Sequence, residues 1–176
     1  MRGTTDLRIR LTDLRRHPGE RATVAGPVDL DGVSVTSAEV AAGTQGELHA
    51  VLESLSDGVT VSGTVEFSWT GDCRRCLEGT SGTAVADIHE VFKDRPDDPN
   101  GDLRPVDGDV VDLEPVVREA VILSLPLAPL CRDDCPGPAP DDFPVSTVDP
   151  DAEPPADPRW AALAELDFDG PTESSP

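Results

Sequence analysis

The cysteines constrain this chain more than any other residues. There are four, and they fall into two tight pairs, Cys73-Arg74-Arg75-Cys76 and Cys131-Arg132-Asp133-Asp134-Cys135. A short-spaced pair can place two thiolates at two corners of a Zn²⁺ tetrahedron, with metal–sulfur distances of ~2.3 Å, and a second pair can complete the shell. The spacing therefore predicts one structural zinc ion held by Cys73, Cys76, Cys131 and Cys135. The segment between Cys76 and Cys131 must then fold back on itself. Such a staple stabilises by joining distant segments, which matters where aromatic residues make up only 3% of the chain.

Other readings of the thiols stay open. Disulfides belong to oxidising compartments, and Met1-Arg2-Gly3-Thr4-Thr5-Asp6 lacks the apolar region of a signal peptide. A redox Cys-x-x-Cys usually opens a helix after a strand. Here Gly71 and Asp72 precede the first pair and Gly79 follows it, which reads as a turn. Redox chemistry and a reduced turn without metal remain the alternatives to zinc.

At 176 residues the chain accommodates one ordinary domain plus tails. A hydrophobic fraction of 37% with 18 prolines implies that part of it does not pack. No apolar run approaches the ~20 residues of a membrane span, so the expectation is a soluble, cytoplasmic protein with no membrane partner. The net charge of −21 repels phosphate backbones, whose affinity for proteins comes from Lys and Arg. Extensive direct RNA or DNA binding is therefore disfavoured. The acidity either serves solubility alone or attracts a basic protein partner.

Asp6–Leu11 alternates Leu7, Ile9 and Leu11 with charged residues, as a half-buried strand does. Thr12–Gly19 reads as a turn, and Arg8, Arg10, Arg15 and Arg16 make the N-terminus the one basic patch. That patch reads first as a solvated edge and second as a contact for RNA or an acidic tail. Val24, Val28, Leu30, Val33 and Val35 suggest short strands interrupted at Gly26-Pro27 and Asp31-Gly32, and residues 37–46 read as a loop. In Glu47–Leu55, Leu48, Ala50 and Leu52 share a face, and Asp57-Gly58 marks a tight turn.

Val59–Trp69 has the clearest period of two: Val59, Val61, Val65, Phe67 and Trp69 fall on one side, Thr60, Ser62, Thr64, Glu66 and Ser68 on the other. Thr83–Phe92 alternates again, which predicts a long hairpin carrying Cys73 and Cys76 at its tip. Residues 94–109 hold six aspartates among prolines; the spacing of a calcium loop is absent, so a solvated loop is expected. Asp112 reads as the N-cap of a helix with Pro115 in its first turn, and Leu113, Val116, Val117, Ala120, Val121 and Leu123 as its apolar stripe. Pro126 ends that helix.

The expected fold class is α+β: a mainly antiparallel β domain over residues 1–137 with a long hairpin, one amphipathic covering helix and a largely disordered acidic C-terminal tail. Residues 138–156 read as a Pro-rich disordered linker. Residues 157–176 read as a short helix and tail, with Asp157 as cap, Pro158 in the first turn, and Trp160, Leu163 and Leu166 on one stripe. A helix of that length is marginal alone in water, so it docks on its own domain or on a partner.

These residues together resemble the YceD family of large ribosomal RNA subunit accumulation proteins. The likeness is carried by Cys73-Arg74-Arg75-Cys76-Leu77 after an alternating strand, by Val111-Asp112-Leu113-Glu114-Pro115-Val116-Val117-Arg118-Glu119-Ala120 with Leu123-Ser124-Leu125-Pro126, and by Pro129-Leu130-Cys131-x-x-x-Cys135-x-Gly137. Asp157-Pro158-Arg159-Trp160-Ala161-Ala162-Leu163 fits actinobacterial members. One departure is that Pro138-Ala139-Pro140-Asp141-Asp142 lacks the further cysteine many relatives carry. The resemblance implies a non-enzymatic part in making or maintaining 23S ribosomal RNA, in a genomic neighbourhood with a small basic large-subunit protein. The expected partner is a basic large-subunit ribosomal protein or a pre-ribosomal particle, with Arg74, Arg75, Asp157, Arg159 and Trp160 as candidate contacts. The alternative function is a thiol redox protein or a metal-dependent nuclease. Against it, His17, His49 and His89 are isolated, and the chain has no phosphate-binding glycine loop and no His-x-Glu metal motif.

Overall fold

In the computed structural model the two alternating stretches become the two longest strands. The structure describes residues 3–94, 103–142 and 159. In chain order the strands are β1 (Arg8–Arg10), β2 (Arg21–Val28), β3 (Ala38–Val40), β4 (Gly46–Ser54), β5 (Gly58–Asp72), β6 (Gly79–Lys93), β7 (Arg104–Pro105) and β8 (Val110–Asp112), followed by α1 (Glu114–Ser124). The coarse expectation of a mostly antiparallel sheet with one helix holds among the described residues.

β5 and β6 pair antiparallel without a break from Gly58↔Lys93 to Asp72↔Gly79. β6 takes one edge of β5, and β4 and β3 share the other, β4 against residues 59–66 and β3 against residues 69–71. β2 lies outside β4, and β7 adds parallel to Phe92 and Lys93. A separate two-stranded sheet joins β1 to β8.

One face of the main sheet is dry. Leu48, Leu52, Val59, Val61, Val65, Phe67, Ala86, Ile88 and Phe92 are buried there, in one core with Leu113, Val116, Val117, Val121 and Leu125 of the α1 segment. Each of the larger of these side chains contributes about 1.5–3 kcal/mol when fully buried. Ordering the backbone opposes this at about 1–2 kcal/mol per residue, so α1 is helical because it is packed.

Several local expectations are corrected. β2 runs straight through Gly26-Pro27 instead of breaking there. It is the outermost strand on its side, where proline's missing N–H removes no ladder bond. The expected loop at residues 37–46 contains β3. Within the expected solvated loop, residues 95–102 lie outside the described residues, while Arg104–Pro105 forms β7 and Val106 is buried. Asp94 and Asp109 are ion-pair partners of Arg15, so that arginine is not simply a solvated edge charge.

The helix also differs in detail. Its N-cap is Leu113, one position later than expected, while Asp112 still accepts a bond from the Glu114 amide at 3.0 Å. Leu123 is 80% exposed. At about 100° per residue it stands about 200° from Val121, so it leaves the stripe, and Leu125 beyond the helix end fills the core instead. Among the described residues, no helix is long and apolar enough to cross a membrane. The expected linker beyond residue 142 and, apart from Arg159, the C-terminal helix lie outside the described residues.

Candidate metal centre

The pairing of Asp72 with Gly79 leaves only Cys73–Glu78 to reverse the chain. The Cys73 amide donates to the Glu78 carbonyl at 2.8 Å, and the Leu77 amide to the Cys73 carbonyl at 2.8 Å. Leu77 closes this turn with φ 63, the left-handed region that a Cβ disfavours by about 1–2 kcal/mol. The tight loop aims both cysteines inward.

The second pair arrives from the far end of α1. Ser37, just before β3, donates through its hydroxyl to the carbonyls of Pro126 at 3.1 Å and Leu127 at 2.9 Å. The Arg74 amide then donates to the Pro129 carbonyl at 2.9 Å, tying the approaching chain to the first cysteine loop. A turn from Arg132 to Cys135 follows, closed by the Cys135 amide at 3.1 Å. Arg75 bridges the two loops, its guanidinium donating to the Asp133 carbonyl at 3.1 Å and the Cys135 carbonyl at 2.9 Å.

The outcome is a cluster in which all four sulfurs lie within 4.8 Å of one another. Cys73 Sγ stands 3.8 Å from Cys135 Sγ, and Cys76 Sγ stands 3.8 Å from Cys131 Sγ. A tetrahedron with metal–sulfur bonds of ~2.3 Å has sulfur–sulfur edges of ~3.8 Å. Disulfide sulfurs would sit at ~2.05 Å, and all four cysteines are free. Both the donor set and its dimensions thus fit a four-coordinate zinc ion. Cys73 and Cys135 are buried and Cys131 is exposed, so one edge of the cluster opens to solvent.

The electrostatics point the same way. The Cys76 amide, then the Cys131 amide, hold the Cys73 thiol down to about 6 against the opposing effect of burial. Cys131 is pushed up to about 12, first by the neighbouring Cys135 sulfur, then by burial and by Cys73 and Cys76. At Cys76 the Glu78 amide favours the thiolate, but burial and the sulfurs of Cys73 and Cys135 outweigh it and raise the pKa. One sulfur gives up its proton readily, and its neighbours then resist. A divalent cation removes that conflict, since coordinated thiols are deprotonated outright. Bound here by Cys73, Cys76, Cys131 and Cys135, zinc would supply a cross-link between the end of the β5–β6 pair and the segment after α1.

Of the other candidate residues, Arg74 is exposed beside the cluster and Arg75 is half-buried as the strut just described. Arg159 is exposed, and Asp157 and Trp160 lie outside the described residues. The strut role of Arg75 and the docking contact at Pro129 were not read from the sequence. Both depend on which backbone carbonyls the fold brings near, and no residue pattern announces that.

Comparison with known proteins places the chain. No solved structure matches it. An uncharacterized protein of Mycobacterium tuberculosis is 36% identical over 127 residues, covering 68% of this chain, and one of Mycobacterium bovis matches to the same extent. The chain spans 61% of the length of these relatives. An uncharacterized protein of Mycobacterium leprae is 30% identical over 166 residues, 89% of this chain and 75% of that protein. Residues 61–167, more than half of the chain and inclusive of both cysteine pairs, match the family described as "Large ribosomal RNA subunit accumulation protein YceD". The chain belongs to the YceD family, and its mycobacterial relatives agree with an actinobacterial member.

Proposed function

We propose that this protein is a cytoplasmic, non-enzymatic ribosome-biogenesis factor, which supports accumulation of 23S ribosomal RNA and assembly of the large subunit by holding a basic protein client. The observation that carries this reading is the family match across residues 61–167, whose description names large ribosomal RNA subunit accumulation. The net charge of −21 supports a cationic protein partner over direct grip on a phosphate backbone. In this reading the zinc is structural: all four donors are protein sulfurs, and a closed shell of four thiolates keeps no open position for substrate or water.

The test is capture of the tagged full chain from a lysate at low salt, followed by mass spectrometry, with 23S RNA measured in depleted cells. Enrichment of large-subunit proteins with a fall in 23S RNA relative to 16S is expected. Recovery of no large-subunit protein, or unchanged 23S RNA, would contradict the reading.

A further inference from the structure

Among the described residues the outer edge of β6 carries no paired strand along most of its length, although α1 packs on the strand and Arg104 pairs with Glu90 near its end. Among the described residues, β7 meets only Phe92 and Lys93, so nothing pairs this edge from Gly79 to Val91. Exposed strand edges are usually blunted by lysine, proline or a bulge. Residues 79–91 contain no Lys, Arg or Pro, and their register against β5 is unbroken. Ser81, Thr83, Val85, Asp87 and His89 are exposed along it, Val85 to 55%.

At the end nearest the cysteines the solvent face inward of this edge, from β6 across β5 to β3, holds a groove of about 540 Å³. Gly79 and Ser81 form one wall, Thr70 and Asp72 of β5 the floor, and Thr36 and Glu39 the far side. Its charged groups, Glu39 and Asp72, are both acidic and exposed. Glu66, opposite Val85 on β5, and Asp87 continue the negative charge along the strand.

We propose that the β6 edge from Gly79 to Val91 takes up an extended, lysine- or arginine-bearing segment of a partner protein as an added strand. Its cationic side chains lie on the solvent face beside Asp87 and reach toward Glu66 on the next strand. This deepens the reading above and rests on it for the identity of the client. Main-chain bonds to an open edge supply affinity for any extended backbone, and the alternating side chains select the occupant. A second copy of this chain would bring another net charge of −21 to an acidic edge, so the charge selects a cationic strand.

The experiment uses the full chain and a capped eight-residue peptide alternating valine and lysine, its backbone N-methylated counterpart, and a version with glutamate for lysine. Binding is read by fluorescence anisotropy, and its location by amide exchange. Saturable binding of the lysine peptide is expected, with slowed exchange in residues 79–91 and loss of binding on N-methylation or glutamate replacement. Val85→Lys, and separately the pair Glu66→Lys with Asp87→Lys, should each weaken it about tenfold, comparable to one well-made hydrogen bond. All three positions are exposed, so these variants test the surface without burdening the core.

Equal binding of the N-methylated peptide, or protection outside residues 79–91, would overturn the proposal. So would self-association through β6 seen in sedimentation. Faster exchange of β6 on truncation after Asp142 would overturn it too, since the chain's own tail would then be the occupant. Capture of large-subunit proteins by the Val85→Lys chain at wild-type yield rejects the edge while leaving the functional reading intact. Peptide binding at the edge with no such capture by the wild type rejects that reading and keeps the edge.

Discussion

Cys73 Sγ and Cys135 Sγ lie 3.8 Å apart although 62 residues separate them, and both side chains are buried. A contact so distant in sequence costs loop-closure entropy, and a metal bound at this point returns it as folding free energy. Removing zinc with a chelator under reducing conditions, or replacing Cys135 by Ser, should lower stability by about 3–5 kcal/mol or more. In a chain of this size that is a fall of roughly 6–20 °C in Tm. Differential scanning calorimetry with and without chelator checks this, and the Cys135→Ser chain should show no further response to chelator.

Arg75 donates to two carbonyls on the opposite cysteine loop. Arg75→Ala should cost about 1–3 kcal/mol, the range for charge-assisted bonds that leave acceptors behind. It should also speed zinc release, because the second pair loses its tether. Arg75→Lys should recover only part, since a point charge cannot reproduce the guanidinium fork. Denaturant midpoints together with the rate of zinc transfer to a chromogenic chelator check both effects.

Leu113 and Leu123 separate buried from exposed positions around α1. Leu113 is 1% exposed and Leu123 80% exposed. Leu113→Ala should destabilise by about 2–5 kcal/mol, whereas Leu123→Ala should stay within about 0.5 kcal/mol of the parent. Urea unfolding of the two variants distinguishes them.

Metal-free, reduced protein should show a pH profile set by the thiols. Between about 6 and the ordinary thiol value of 9.0, Cys73 holds fewer protons in the folded chain than in the unfolded one. Stability therefore rises with pH across that window, and the contribution is lost as pH falls through about 6. Above 9.0, Cys131, pushed up to about 12, holds more protons when folded, so stability declines again. Cys73→Ser should abolish the rise. Urea midpoints from pH 5.5 to 10 check the profile.

What the sequence disclosed follows the physics of each element. β5 and α1 bury one face of a regular repeat, and that repeat is written locally in Val59, Val61, Val65 and Phe67 and in Leu113, Val117 and Val121. The cysteine cluster was legible because thiol pairs at short spacing have few uses. β1 was legible in the alternation of Leu7, Ile9 and Leu11, whereas β3, β7 and β8 are only two or three residues long, too short to carry a period, and they exist because a distant partner offers an edge. Proline at position 27 misled for a related reason: its penalty depends on whether β2 is central or outermost, which a local pattern does not contain. Leu123 was misassigned because a hydrophobic residue beside a stripe resembles one within it until the helix phase is fixed by packing.

The central claim is that four sulfurs from two distant segments share one ion. Metal analysis of the full chain purified under reducing conditions tests it most directly, alongside Cys131→Ser. One zinc per chain, lost in the variant, with thiols that react with a disulfide reagent only after chelation, is the predicted result. A chain that carries no metal when offered zinc at neutral pH, and whose thiols react freely throughout, would contradict it.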